Sequence, residues 1–214
     1  GSATFSNLNL NGSNSTFINY GTATVNGSFS PGGSFNNENT FNTTGDFNLN
    51  SNSNFVNNGI MTIGGTLNVN TNNVTTNNGS ITTTQDFQLN NNSEFVNNCL
   101  LWVKANYNHN NNAVLKNYSL VKVNNTTTLN GNNGELALYN GAMLRTTNMT
   151  INNKIKGYGT TSLVKVSGNT TINSGRIENA IQYCDLNGIE TNNSAQFTGG
   201  AVQACTLYVP VTNC

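Results

Sequence analysis

Apolar residues recur along this chain in pairs split by one residue, and the pairs return at near-constant intervals. One signature, apolar-x-apolar-Asn, reads Leu8-Asn9-Leu10-Asn11, Phe47-Asn48-Leu49-Asn50, Leu67-Asn68-Val69-Asn70 and Phe87-Gln88-Leu89-Asn90, and continues to Thr170-Thr171-Ile172-Asn173. From Asn50 its closing residues, Asn70, Asn90, Asn110, Asn130, Asn152 and Asn173, follow at intervals of 20, 20, 20, 20, 22 and 21. A second set keeps the same phase a few residues earlier: Met61-Thr62-Ile63, Ile81-Thr82-Thr83, Leu101-Trp102-Val103, Val121-Lys122-Val123 and Val164-Lys165-Val166. A third consists of Phe17-Ile18-Asn19, Phe35-Asn36-Asn37, Phe55-Val56-Asn57 and Phe95-Val96-Asn97. Between Asn11 and Asn50 there is room for one further, degenerate turn near Phe29-Ser30-Pro31.

Successive side chains of a strand point to opposite faces, so each such triplet places two residues inward and one outward. Three short strands per repeat, with the repeat held over most of the chain, predict coils stacked on one another by main-chain hydrogen bonds. The expected fold is all-β: a single-stranded parallel β-helix, or β-solenoid, of about nine or ten turns and roughly 45 Å long at about 4.8 Å per turn. Asn and Gly suit the corners because both tolerate positive φ. The column Asn50, Asn70, Asn90, Asn110, Asn130, Asn152 and Asn173 has the spacing for an amide ladder along the axis; capping of each residue's own turn is the alternative. Antiparallel hairpins would put turn signals every 8–12 residues without columns at twenty. Helical repeats would need runs of helix formers where this chain has Thr, Asn and Gly.

Composition sharpens this picture. Asn makes up roughly a quarter of the 214 residues, far above ordinary usage. A disordered, Asn-rich tract could share that bias, but it has no reason to hold a register. Only 7% of residues are charged and the formal net charge is zero. The eight Lys and Arg look scattered, Lys154 and Lys156 being the nearest approach to a patch, so a nucleic-acid partner is not expected. No apolar run reaches the length of a membrane-spanning helix, so membrane insertion is not expected either. Gly1-Ser2 reads as a remnant of tag removal, which implies a mature form or an excised piece of a larger chain.

The pattern blurs after Ile177, which divides the chain into a solenoid over 1–177 and a capping or junction segment over 178–214. An open last coil is an exposed sheet edge that needs such cover. Three of the four cysteines fall there, and one disulfide is expected among Cys184, Cys205 and Cys214. Cys99 replaces the bend glycine seen at Gly59 and Gly79.

Parallel β-helices include polysaccharide-degrading enzymes, whose sites need two or more acids close together. Asp46 and Asp86 share a column two turns apart, but no Lys or Arg joins them, and solvated edge residues are the simpler reading. His109 falls in the inward column of Leu49, Val69 and Leu89, where a packed, hydrogen-bonded histidine is expected. No catalytic residue, metal site or cofactor is therefore expected: there is no CxxC, no His pair and no calcium-binding nonapeptide. Trp102 lies in the outward column of Thr24, Thr62, Thr82, Lys122 and Lys165, with Lys104 and Lys122 beside it. Trp102, Lys104 and Lys122 are the candidate ligand-binding residues, suited to a sugar ring. The Thr rank itself is of the kind that ice-binding proteins present, though Trp102 and the lysines interrupt it.

Through strings such as Phe55-Val56-Asn57-Asn58-Gly59 and Leu67-Asn68-Val69-Asn70, the chain resembles Asn-rich β-solenoid segments of large secreted proteins from Bacteroidetes-type bacteria. It is also loosely similar to filamentous haemagglutinin-like adhesins, and Tyr183-Cys184-Asp185-Leu186-Asn187-Gly188-Ile189-Glu190-Thr191 looks like the end of such a solenoid. The resemblance implies export, display at the cell surface and adhesion, with surface glycans or other cell-surface proteins as partners. The expected function is thus a non-catalytic, secreted or surface-displayed structural and adhesive module. A carbohydrate-binding or polysaccharide-degrading β-helix and an ice-binding protein are the alternatives.

Overall fold

A computed structural model of the chain describes all residues except Asn9, Asn11, Ser51, Asn52, Thr71, Asn73, Asn132, Ser194, Ala195 and 208–214. Among the described residues there is no helix, and the strands form three parallel sheets of 11, 10 and 8 strands. Each full coil contributes one strand to each sheet. The coil that begins at Asn54 shows the order: Asn54–Asn57 in the ten-stranded sheet, Ile60–Ile63 in the eleven-stranded sheet and Leu67–Val69 in the eight-stranded sheet. The result is a β-solenoid of about nine turns, as the periodicity predicts.

Register follows the sequence columns. Met61 lies against Ile81, Ile81 against Leu101 and Leu101 against Val121, all pointing into the bore and fully buried. Leu49, Val69, Leu89, His109 and Leu129 likewise stack one above another. The N-terminal half fills its bore with phenylalanine. Phe17 stacks on Phe35 at 5.6 Å and Phe35 on Phe55 at 5.9 Å, while Phe41 and Phe47 meet Phe35 edge-on. Edge-on and offset contacts of this kind add about 0.5–1.5 kcal/mol each beyond the area they bury.

The degenerate turn has a visible consequence. Phe29 is buried and bridges to Phe47, and Pro31 bridges to Leu10, but neither lies within a strand. Proline has no N–H to give a ladder. The eight-stranded sheet accordingly starts only at Phe47–Leu49.

Two kinds of asparagine row run along the axis. The predicted one is present in two runs: Asn90 donates to Asn70 and Asn110 to Asn90 at 2.7 Å, then Asn152 to Asn130 at 3.3 Å and Asn173 to Asn152 at 3.1 Å, while the side chains of Asn50 and Asn70, and of Asn110 and Asn130, all among the described residues, are not bonded to each other. These amides are exposed or half-buried. A second row is buried in the interior. Asn19 donates to Asn37, Asn37 to Asn57, Asn57 to Asn77, Asn77 to Asn97 and Asn97 to Asn117, each at 2.8 Å. The same Nδ2 groups also reach main-chain carbonyls at the adjoining corner, as Asn57 does to Gly59 at 3.0 Å and Ser80 at 3.3 Å. A buried amide is tolerable only when its donors and acceptor are all used, and this stacking uses them.

Pairing does not stop at residue 177, where the sequence pattern blurs. Ile181–Asp185 pairs with Ser162–Val166, Gln196–Thr198 with Arg176–Glu178, and Val202–Gln203 with Ile181–Asp185. Cys184 and Cys205 are joined, with their Cα atoms 4.6 Å apart, so the disulfide ties one coil to the chain just after the next. Cys99 is buried and also disulfide-bonded. Cys214, the third disulfide candidate, lies outside the described residues.

Candidate functional site: a cationic row on the largest sheet

The outward column of the eleven-stranded sheet can be followed rung by rung. It runs Thr4, Thr24, Asn42, Thr62, Thr82, Trp102, Lys122, Arg145 and Lys165. Its first half is uncharged and hydroxyl-rich, apart from the amide of Asn42. Its second half is an aromatic ring followed by three cations on consecutive strands. Lys104 projects beside this row from the corner following Leu100–Val103.

Trp102, Lys104 and Lys122 do come together. The Lys122 ammonium lies 4.1 Å from the centre of the indole ring and that of Lys104 5.4 Å from it. The indole N–H donates to Asn124 Oδ1 at 3.0 Å. Trp102 is half-buried and already engaged by cations, so it is not the bare stacking platform expected from sequence. It anchors the row instead.

Arg145 joins this group although a count of twenty residues does not reach it. The coil between Lys122 and Arg145 is lengthened, with a five-residue strand, Glu135–Tyr139, and a corner at Asn140 and Gly141 with φ of 50° and 80°. The Asn-Gly pair, which favours positive φ, was the available signal. Lys122, Arg145 and Lys165 line one side of a shallow depression of about 160 Å3, whose other side carries Asn124, Thr147 and Ser167. On the opposite flank lies an outward apolar strip, Leu100, Leu120, Met143 and Leu163, against which Leu207 packs. Gln182 holds this returning chain, donating to Thr206 Oγ1 at 2.9 Å.

Charges on the ten-stranded sheet are handled differently. Lys116 meets Glu94 at 2.8 Å, Lys154 meets Glu135 at 2.6 Å and Arg176 meets Glu178 at 3.5 Å. The hydrogen bond to Glu94 is the main reason that the Lys116 ammonium is held above its ordinary pKa. Lys156 sits 5.0 Å from the ring of Tyr158 and in register with Glu178. The cations are thus not scattered: one sheet sets its four beside acids or a tyrosine ring, while the other gathers Lys122, Arg145 and Lys165 in a row with Lys104 beside it, Lys104 and Lys122 over the Trp102 ring and none of the four with an acid in ion-pair range among the described residues.

The two acids that share a column, Asp46 and Asp86, have structural partners. Asp46 Oδ1 accepts the Thr66 N–H at 2.8 Å, and Asp86 Oδ1 accepts the Asn106 N–H at 3.0 Å. Asn106 and Asn148 repeat the contact to Thr126 at 3.3 Å and Asn169 at 3.0 Å. These side chains fasten four of the corners to the next coil, a more definite role than that of solvated edge residues. His109 is buried as expected. Its Nε2 lies 2.8 Å from the Ala113 carbonyl, which can only accept, so the proton is on Nε2 and Tyr107 donates to Nδ1 at 2.6 Å. Burial holds the His109 pKa down at about 4, against the opposing pull of the Ala113 carbonyl. Among the described residues, no group of three or more His, Cys, Asp or Glu is placed to hold a metal ion.

Compared with known proteins, the chain matches no family model, no curated protein and no solved structure.

Proposed function

We propose that the chain is a non-catalytic structural and adhesive rod that works outside the cell, as a stalk or adhesive module displayed at the surface or secreted. The observation that carries this reading is the buried amide row, which joins six successive coils from Asn19 to Asn117 through five side-chain hydrogen bonds. Such a row holds coil upon coil in one fixed register and suits an extended, persistent shape. The Cys184–Cys205 disulfide supports an oxidising environment, since such bonds form and persist mainly outside the cytosol. Surface glycans or other cell-surface proteins are the partners that an adhesive role calls for.

Two measurements test this. Antibody labelling of intact source cells and of their medium should find the protein, and a signal confined to the cell interior would end the reading. Small-angle scattering of the purified chain should give an elongated particle; a compact sphere would count against a rod.

A further inference from the structure

We propose that the row Lys122, Arg145 and Lys165, with Lys104 and the indole of Trp102 at its head, is a binding track for an acidic polysaccharide. The proposal rests on the adhesive part of the function proposed above and supplies its ligand class.

Three observations converge. First, the cations stand directly opposite one another on adjacent strands, Lys122 against Arg145 and Arg145 against Lys165. Like charges in that relation repel, and the chain relieves such repulsion elsewhere by pairing Lys116 and Lys154 with glutamates. On the outward ranks of this sheet it places no acid among the described residues. An anionic ligand would remove the repulsion that the fold leaves in place. Second, the row has a built flank: Asn124, Thr147 and Ser167 line the same depression and offer amide and hydroxyl groups to a hydroxyl-rich chain. Third, the geometry is linear. One rung per coil, at about 4.8 Å, sets Lys122, Arg145 and Lys165 in a straight file roughly 10 Å long, with Lys104 one coil before it and to its side.

That file favours a polysaccharide over nucleic acid. An extended glycan can run along the rod and meet successive cations with successive carboxylate or sulfate groups, while its hydroxyls face the polar flank. The phosphates of a duplex curve away from a straight row after a short arc. Single strands need a series of open aromatic faces on which bases stack. Here there is one indole, with Lys122 already over it.

The test is binding of the intact chain to polygalacturonate, to dextran sulfate, to neutral dextran and to duplex DNA, by titration calorimetry over a range of salt. Polygalacturonate covers carboxylate and dextran sulfate covers sulfate. Binding to at least one of these, and none to neutral dextran, is expected. A triple variant, Lys122→Gln, Arg145→Gln and Lys165→Gln, should weaken binding tenfold or more and flatten its salt dependence. A second triple variant, Lys154→Gln, Lys156→Gln and Arg176→Gln, removes as many charges from the other sheet and should change affinity less than twofold. Equal losses in the two variants, DNA binding as tight as that of the acidic glycans, or no binding at low salt would each overturn the proposal. Circular dichroism and scattering on the same samples keep the two readings apart. A folded, elongated chain that fails to bind removes only the polysaccharide track, whereas a compact or unfolded wild type counts against the rod.

Discussion

A single asparagine does different work depending on which row it stands in. Asn77 is buried, accepts from Asn57, donates to Asn97 and also reaches the Leu100 carbonyl. Asn77→Ala would leave the buried Asn97 Oδ1 without its donor and take from the Asn57 Nδ2 group one of its three acceptors, with a loss of about 1–3 kcal/mol. Asn90→Ala, in the more exposed row, should stay below about 1 kcal/mol because water can replace the missing partner. Urea denaturation of both variants checks the difference, and equal losses would refute it. The His109 pair gives a second prediction at this scale. The folded pKa of about 4 lies below the unfolded value, so the unfolded chain takes up the proton first as pH falls. The contribution of His109 is therefore complete above about pH 6.5 and is lost progressively down to about pH 4, by about 3 kcal/mol. The double variant Tyr107→Phe, His109→Leu removes both polar groups together. Its stability should fall less steeply than that of wild type over this range, whereas His109→Leu alone leaves the Tyr107 hydroxyl unpaired and destabilises at every pH.

At the scale of strands and coils, the phenylalanine column is the part most sensitive to truncation. Phe35 is buried and touches Phe17, Phe29, Phe41, Phe47 and Phe55. Phe35→Ala should destabilise by about 3–5 kcal/mol, with thermal unfolding as the readout. The triplets made this core legible in advance, because alternation fixes which residues enter the bore. The same triplets contained Phe17-Ile18-Asn19, Phe55-Val56-Asn57 and Phe95-Val96-Asn97, whose third residue occupies an inward position. Alternation therefore pointed to buried amides, but polarity suggests the surface, and the ladder was expected only in the exposed column. Arg145 escaped for another reason: the lengthened coil at Glu135–Tyr139 shifts the phase by three residues beyond a count of twenty. The sequence boundary at 177 marks a change of residue types, while main-chain pairing, which needs only available N–H and C=O groups, runs on to Gln203.

For the molecule as a whole, stability is a sum of coils and of interfaces between neighbours, so the ends open before the middle. The Cys184–Cys205 link closes a separation of 21 residues close to the C-terminal end. Replacing both cysteines by serine should cost about 3 kcal/mol by loop-closure entropy, and hydrogen exchange should locate the loss in the last coils. Protection lost uniformly along the rod would contradict that localisation.

The amide rows also have a sense of direction. From Asn19 to Asn117 every donor faces the C-terminal end, whereas Asn90, Asn110, Asn152 and Asn173 all donate toward the N-terminal end. Turning one amide over would set oxygen against oxygen on one side and NH2 against NH2 on the other, so an unbroken run can reverse only as a unit. Each row thus behaves like a line of compass needles, and the interior line opposes the outer one. Their dipoles therefore point in opposite senses and partly cancel along the axis, so the rod carries less polarity from its amides than a single aligned row would give it.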